Sequence, residues 1–124
     1  MSTPANTLKS AQAVAIIAAL DAGVGAATLE ICTASYANVL VVVPLQEPCG
    51  TQANGLITFG GMPIEAGVTI TGIPAIARIK DGGGTVQIDG MSVGTSGTDV
   101  IIPTTAAWPS GATARVTSMT YRVN

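Results

Sequence analysis

The side chains that could do chemistry in this chain are seven carboxylates, two cysteines and a set of hydroxyls and lysines, because the sequence contains no histidine. A serine or cysteine nucleophile needs a neighbouring base or a desolvated lysine, whereas Lys9 and Lys80 stand beside other polar or charged residues. Two acids that work as a hydrolytic pair must flank a cleft, and no sequence feature brings Glu30, Glu47 and Glu65 together. We therefore predict a protein that is not an enzyme and has no catalytic residue.

Three glycines at positions 82–84 follow a strand-like segment, as in a phosphate-binding loop. Such a loop needs a following helix and a Gly-Lys-Ser/Thr ending, whereas the strand pattern Thr-Val-Gln-Ile follows here. Asp81, Asp89 and Asp99 are eight and ten residues apart on separate predicted turns, where aspartate commonly bonds the backbone, and a Ca²⁺ site needs several oxygens on one loop. We predict a hairpin turn at the glycines, no cation site and no cofactor.

The two cysteines, Cys32 and Cys49, lie in different predicted segments. One alternative is a disulfide between them. The other, which we favour for a protein assembled in the cytosol, is two buried thiols, since disulfides are rare in that compartment. A zinc site is disfavoured because the chain has neither histidine nor a Cys-x-x-Cys pair.

Charged side chains are scarce, at 10% of the 124 residues against roughly 25% in an ordinary soluble domain. With a formal net charge of −2 and five cations, the chain lacks the basic surface that binds nucleic acid. Only Tyr36, Phe59, Trp108 and Tyr121 are aromatic, too few to predict a stacking platform. We interpret this surface as one that faces other subunits in a large assembly; the alternative is a low-charge monomer kept soluble by threonine and serine.

The length fits one domain with a single core. No apolar run reaches the roughly 18–20 residues that span a bilayer, and we interpret the apolar segment 11–20 as a helix rather than a cleaved signal. We predict an N-terminal arm over residues 1–6 and a helix over 7–22, capped by Thr7 and ended by Gly23. The apolar helical face is predicted from helical spacing at Leu8, Ala11, Ala15 and Ala18.

From residue 27 onward the apolar residues recur with period two. This pattern predicts short strands at 28–33, 38–43, 56–59, 67–71, 75–80, 85–89, 99–102 and 114–123, with Gly90 bulging its strand, a connecting loop over 44–50 and the 38–43 strand covered on both faces. About eight strands, with turn signals roughly every ten residues, predict a mainly β single domain, a β-sandwich or jelly roll, preceded by the helix.

Trp108, in Ala-Ala-Trp-Pro-Ser-Gly, has two possible roles. It could close one end of the core, the commoner place for tryptophan, or it could be an interface hot spot on a loop. The candidate partner-interface residues predicted from the sequence are Met1, Ser2, Thr3 and Pro4 in the arm, with Trp108 and Pro109.

Several of these motifs together resemble a family of small virion structural proteins of tailed bacteriophages. They are the helix end Asp21-Ala22-Gly23, then Ala27-Thr28-Leu29-Glu30-Ile31, Arg78-Ile79-Lys80-Asp81, Asp89-Gly90, Ser92-Val93-Gly94-Thr95-Ser96-Gly97 and Asp99. Here Cys32 stands where the family pattern has an aromatic residue, and residues 75–77 lack the bulky aromatic expected before Arg-Ile.

The resemblance implies a capsid decoration or cement protein that is located in the virion, is made in the host bacterial cytoplasm and bridges major capsid subunits. Its expected partners are the major capsid protein and further copies of itself, with no nucleic acid, membrane or small-molecule substrate. Contacts are expected through the arm, the 44–50 loop and the 108–111 loop. The alternatives are a phage tail component (tube, terminator or tip) and a host- or carbohydrate-binding module of a fibre, for which Trp108 and Tyr36 are the candidate residues.

Overall fold

The computed structural model describes residues 6–21, 27–46, 49–53 and 55–122 of the chain. This part is mainly β, as predicted, with one α-helix at its start. The elements are α1 (Asn6–Asp21), β1 (Thr28–Cys32), β2 (Val39–Pro44), β3 (Gly50–Ala53), β4 (Leu56–Phe59), β5 (Ile64–Gly67), β6 (Ile76–Lys80), β7 (Val86–Gly94), β8 (Val100–Ile101), β9 (Thr113–Val116) and β10 (Ser118–Arg122).

Eight of the strands form one curled sheet, and the other two form a separate ribbon. The sheet order is β2-β1-β6-β7-β8-β10-β4-β3, and β5 pairs with β9 in the ribbon. All the pairs are antiparallel except β7 with β8. Beyond β5 the chain follows the edge of β2, where the Thr69 amide donates to the Leu40 carbonyl oxygen at 2.9 Å.

The buried apolar side chains form one cluster that joins the helix and both halves of the sheet. Leu29 and Ile79 come from the β2-β1-β6-β7 half, and Ile57 and Met119 come from the β8-β10-β4-β3 half; all four are at most 1% exposed. Such strands bury alternate residues because successive side chains point to opposite faces of a sheet. The other face of β1 and β6 is therefore turned away from this core.

Most of the predicted strand positions are confirmed. The segments predicted at 28–33, 56–59, 75–80 and 99–102 contain β1, β4, β6 and β8, and the segments predicted at 38–43 and 85–89 overlap β2 and the start of β7. The bulge at Gly90 is also confirmed, because Ala77 pairs with Met91 and Ile79 with Ile88, which leaves an extra residue on β7, and Gly90 has φ +68°. The 38–43 strand is not covered on both faces, since Val42 is 47% exposed.

Three predicted segments differ from the structure. The single strand predicted at 114–123 is two strands, β9 and β10, in different sheets. The strand β5 covers Ile64–Gly67, so it shares only Gly67 with the strand predicted at 67–71. The strand β3 begins at Gly50, the last residue of the predicted 44–50 loop.

The helix is confirmed over Asn6–Asp21. It begins one residue earlier than predicted, so Thr7 lies inside the helix instead of capping it, and its predicted apolar face is wrong. Ala11, Ala15 and Ala18 are exposed, whereas Ala13 and Leu20 are completely buried. The helix packs on β3, β4 and β7. The arm was predicted over residues 1–6, but Asn6 belongs to α1. Residues 1–5 of that arm, and the helix end predicted at Gly23, lie outside the described residues.

Candidate functional site

A buried carboxylate on the outer face of the sheet is the most unusual group of the described chain. Glu30 is the cross-strand partner of Val42 on β2 and of Arg78 on β6. Lys80 lies two residues beyond Arg78, and so it stands on the same face. Glu30 is 8% exposed, although it points away from the main core.

Both oxygens of this carboxylate accept from cations. The Arg78 Nε–H donates to Glu30 Oε1 at 2.7 Å, and the Lys80 ammonium lies 3.1 Å from Oε2. A charge removed from water is tolerated when it is paired and hydrogen-bonded in this way. The cluster fixes where the two cations stand, because the carboxylate beneath them anchors both.

Tyr36 extends the cluster toward β7. The Arg78 guanidinium carbon lies 5.0 Å from the centre of the Tyr36 ring, a cation–π distance. The Gly90 amide, at the bulge of β7, donates to the Tyr36 hydroxyl oxygen at 2.6 Å. The short turn that carries this ring is Ala34–Tyr36, and Ser35 and Tyr36 have φ angles of 58° and 57°, a left-handed conformation that is costly for residues other than glycine.

The electrostatics hold Glu30 ionised. Burial raises the pKa of its carboxyl group, but the hydrogen bonds and charges of Arg78 and Lys80 outweigh that effect, so the net pKa is below its usual value. The hydrogen bond to Glu30 in turn raises the pKa of the Arg78 guanidinium. A carboxylate in this state stabilises the fold and is poorly suited to accept a proton from a substrate.

Acid is expected to weaken the fold through Glu30. Since the folded pKa lies below the unfolded value of about 4.3, the ionised pair stabilises the protein above that value, and the contribution is lost as pH falls through the folded pKa. Urea unfolding at pH 6 and at pH 3 should show a larger loss of stability for the wild type than for Glu30→Gln. Equal losses in the two proteins would contradict this.

Two of the three aspartates predicted as turn residues, Asp81 and Asp99, bond the backbone, whereas Asp89 lies within β7 rather than in a turn. Asp81 Oδ1 accepts from the amides of Gly83 and Thr85 at 2.9 and 3.0 Å, and the chain reverses there into the antiparallel β6–β7 pair. Asp99 Oδ2 accepts from the Ser92 amide at 3.2 Å. The hairpin turn predicted at glycines 82–84 is confirmed.

Both cysteines are buried free thiols, the favoured alternative of the sequence analysis. Burial, helped by the nearby charge of Asp21, raises the pKa of Cys49 to about 11. Burial also raises the pKa of Cys32. Asp21, at the end of α1, accepts a hydrogen bond from the Cys49 amide at 3.1 Å.

These thiols are expected to react slowly in the folded protein. At pH 8 a thiol with a pKa near 11 is thiolate in roughly one molecule in a thousand, and the thiolate is the reactive form. Iodoacetamide at pH 8 should leave both cysteines unmodified over the time in which the urea-unfolded chain takes up two labels. Rapid stoichiometric labelling without denaturant would show that one thiol is accessible.

Trp108 belongs to the core, with 6% of its surface exposed, and so the core alternative is confirmed for its ring. Its backbone forms an isolated bridge with Gly72, through N–H···O bonds of 2.8 and 3.0 Å. Pro109, the next residue, is exposed. The predicted contact residues Met1, Ser2, Thr3 and Pro4 lie outside the described residues.

Large exposed apolar side chains occur at five described positions. Two of them stand beside the Glu30 cluster: Val42 is the cross-strand partner of Glu30, and Val86 is the partner of Lys80. The set, with exposed fractions from 40% to 59%, is Val14, Val42, Ile70, Ile73 and Val86. Scattered exposed valines are normal in soluble proteins, but two of them next to a fixed pair of cations define a surface of distinct chemistry.

Comparison of the chain with protein-family models, curated proteins and solved structures gave no match. Among the described residues, no helix combines the length and apolarity needed to span a bilayer. In the same part of the chain, no three acidic or cysteine side chains are grouped so that they could hold a metal ion.

The cluster of Glu30, Arg78 and Lys80 was not predicted from the sequence. The available signal was a single carboxylate within the apolar run of β1, together with Arg78 and Lys80 alternating with apolar residues on β6. Opposite charges on two strands suggest a cross-strand ion pair when the strands are neighbours, but only the sheet order shows that β1 and β6 are neighbours.

Proposed function

We propose that this chain is a non-enzymatic structural protein of a bacteriophage virion, most specifically a capsid cement or decoration subunit that bridges major capsid proteins. The proposal starts from the sequence motifs given above. The structural observation that supports it best is the low-charge surface of the described chain, in which five large apolar side chains are at least 40% exposed. Such a surface suits a subunit that is covered in an assembly.

The β-sandwich or jelly-roll assignment is part of this proposal. The curled sheet supports it, because both of its halves supply side chains to one core, as the two layers of a sandwich do. The absence of catalysis is likewise a proposal. It is supported by the structural use of Glu30, Asp81 and Asp99, whose carboxylates bond cations or the backbone.

Contacts with the capsid are proposed through residues 1–5, which precede α1, and through the loops 44–50 and 108–111. Because the Trp108 ring is buried, the exposed residues Pro109, Ser110 and Gly111 carry the contact in the second loop. A few hundred Å² of apolar contact per subunit stabilises binding by several kcal/mol at about 25 cal/mol per Å², before ordering costs. Symmetry then multiplies such weak contacts.

The test is to mix the purified protein with undecorated phage heads and to separate bound from free protein by sedimentation. We expect saturable binding and heads that resist heating better than undecorated ones. Rings or tubes that form without heads would favour the tail alternative. A glycan-array signal without binding to heads would favour the host-binding alternative.

A further inference from the structure

The Glu30 cluster forms the middle of a surface with a regular arrangement. Across the strands, Val42, Glu30 and Arg78 form one row, and Lys80 and Val86 lie in the next row. We call these five residues the outer-face patch. With neighbouring strands about 4.8 Å apart, β2 and β7 are roughly 14 Å apart, so the two valines stand on either side of the cations.

The cations of this patch have donors to spare. Arg78 bonds Glu30 through Nε, which leaves its two terminal amino groups, and Lys80 has two further N–H groups. Within residues 6–21, 27–46, 49–53 and 55–122, Glu30 is the only acidic partner that reaches either cation. The side chains of Arg78 and Lys80 are 24% and 27% exposed, whereas that of Glu30 is 10% exposed. Solvent, or a partner, therefore meets positive charge here.

The sign of this charge differs from that of the chain as a whole. Two cations and one carboxylate give the patch a net charge of +1, within a chain whose formal net charge is −2. An arginine held rigidly by a buried carboxylate is a good receptor for a second carboxylate, because its outer fork can bond both oxygens. Arginine and tyrosine are also typical centres of binding hot spots.

From this geometry we infer that the outer-face patch is a docking surface for a protein that presents a carboxylate flanked by apolar side chains. The inference rests on the proposed function, in which this protein is a capsid subunit. Asp21, Asp81 and Asp99 of a second copy are engaged with backbone amides. Glu65, however, is exposed between Ile64 and Ala66, so a second copy of the chain is the competing occupant, which the test below separates from the capsid partner.

Charged residues introduced at the two exposed valines test the inference without replacing Glu30, Arg78 or Lys80. Val42→Glu and Val86→Glu place a negative charge beside the cations and should weaken binding to undecorated heads at least tenfold. Val42→Lys introduces a positive charge at the same position, and this variant should bind undecorated heads with an affinity within threefold of the wild type. Val14→Glu, on the exposed side of α1, is the matched control and should also bind within threefold. Circular dichroism and the melting temperature establish that each variant is folded.

The outcomes separate the two proposals. Heads that bind the wild type and the Val42→Glu and Val86→Glu variants equally well overturn the docking surface alone. Equal weakening by Val14→Glu, or by Val42→Lys and Val42→Glu alike, also overturns it, since the effect would not depend on charge at this surface. Heads that bind no wild-type protein overturn the proposed function and the docking surface with it. Self-association of the purified chain that Val42→Glu abolishes assigns the patch to a second copy and overturns the inference.

Discussion

Replacing Trp108 with alanine is expected to lower the free energy of unfolding by about 3–5 kcal/mol, the usual cost of removing a large aromatic side chain from a core. The ring is 6% exposed and belongs to the single apolar cluster. Its backbone bridge to Gly72 does not depend on the side chain, so the loss should come from packing. Urea or guanidinium unfolding at neutral pH measures the change as a shift of the midpoint.

The matched control for this prediction is Thr105→Ala, an exposed residue three positions earlier in the chain. Surface substitutions of this kind usually change stability by less than about 0.5 kcal/mol. Trp108→Ala protein that unfolds like the wild type but no longer binds heads would contradict the prediction. In that case the tryptophan would act as an interface anchor, the other role predicted from the sequence.

The sequence predicted elements well where local signals agree. In the β6–β7 hairpin, alternating apolar residues lie on both sides of a glycine-rich turn that begins with Asp81. Its carboxylate accepts from the amides of Gly83 and Thr85, so the turn forms from residues that are adjacent in sequence. No knowledge of the remaining chain is needed for such an element.

The helix shows why local spacing can fail. Ala11, Ala15 and Ala18 have helical spacing, but so do Ala13, Ile16, Ile17 and Leu20, and the second set includes the larger side chains. Since most of the helix is apolar, its pattern does not select one face. The packing against β3, β4 and β7 selects it, and this packing joins residues distant in sequence.

Residues 114–123 were predicted as a single strand because the alternation of side chains in the sequence extends across Thr117. In the structure Val116 and Met119 are both buried although they are three residues apart, so the alternation changes phase between them. The Thr117 amide donates to the Ile101 carbonyl oxygen at the break. A partner strand from another region causes this change, and it leaves no local signal.

The strand β3 is marked in the sequence by the turn that follows it. Asn54-Gly55 is a typical two-residue hairpin sequence, and it separates β3 from β4, where Ala53 pairs with Leu56. Gly55 has φ +86°, a conformation that glycine adopts readily. The polar residues Thr51 and Gln52 concealed the strand, because its apolar alternation is weak.

Removing the arginine of the outer-face patch, by Arg78→Ala, is expected to lower the free energy of unfolding by about 2 kcal/mol. Breaking a buried ion pair typically costs about 3–5 kcal/mol. The cost should be smaller here, because Lys80 remains 3.1 Å from the Glu30 carboxylate and Arg78 itself is partly exposed. The variant also loses the cation above the Tyr36 ring.

A double-mutant cycle with Glu30→Gln separates these contributions. If the loss comes mainly from an uncompensated carboxylate, Arg78→Ala should cost less than half as much in the Glu30→Gln background as in the wild type. Arg78→Lys keeps the positive charge and should recover part of the stability, but not all of it, because an ammonium group cannot reproduce the Nε–H bond to Glu30 and the stacking on Tyr36 together. Equal costs of Arg78→Ala in both backgrounds would mean that the pairing with Glu30 contributes little, and that Arg78 stabilises the sheet through its contact with Tyr36.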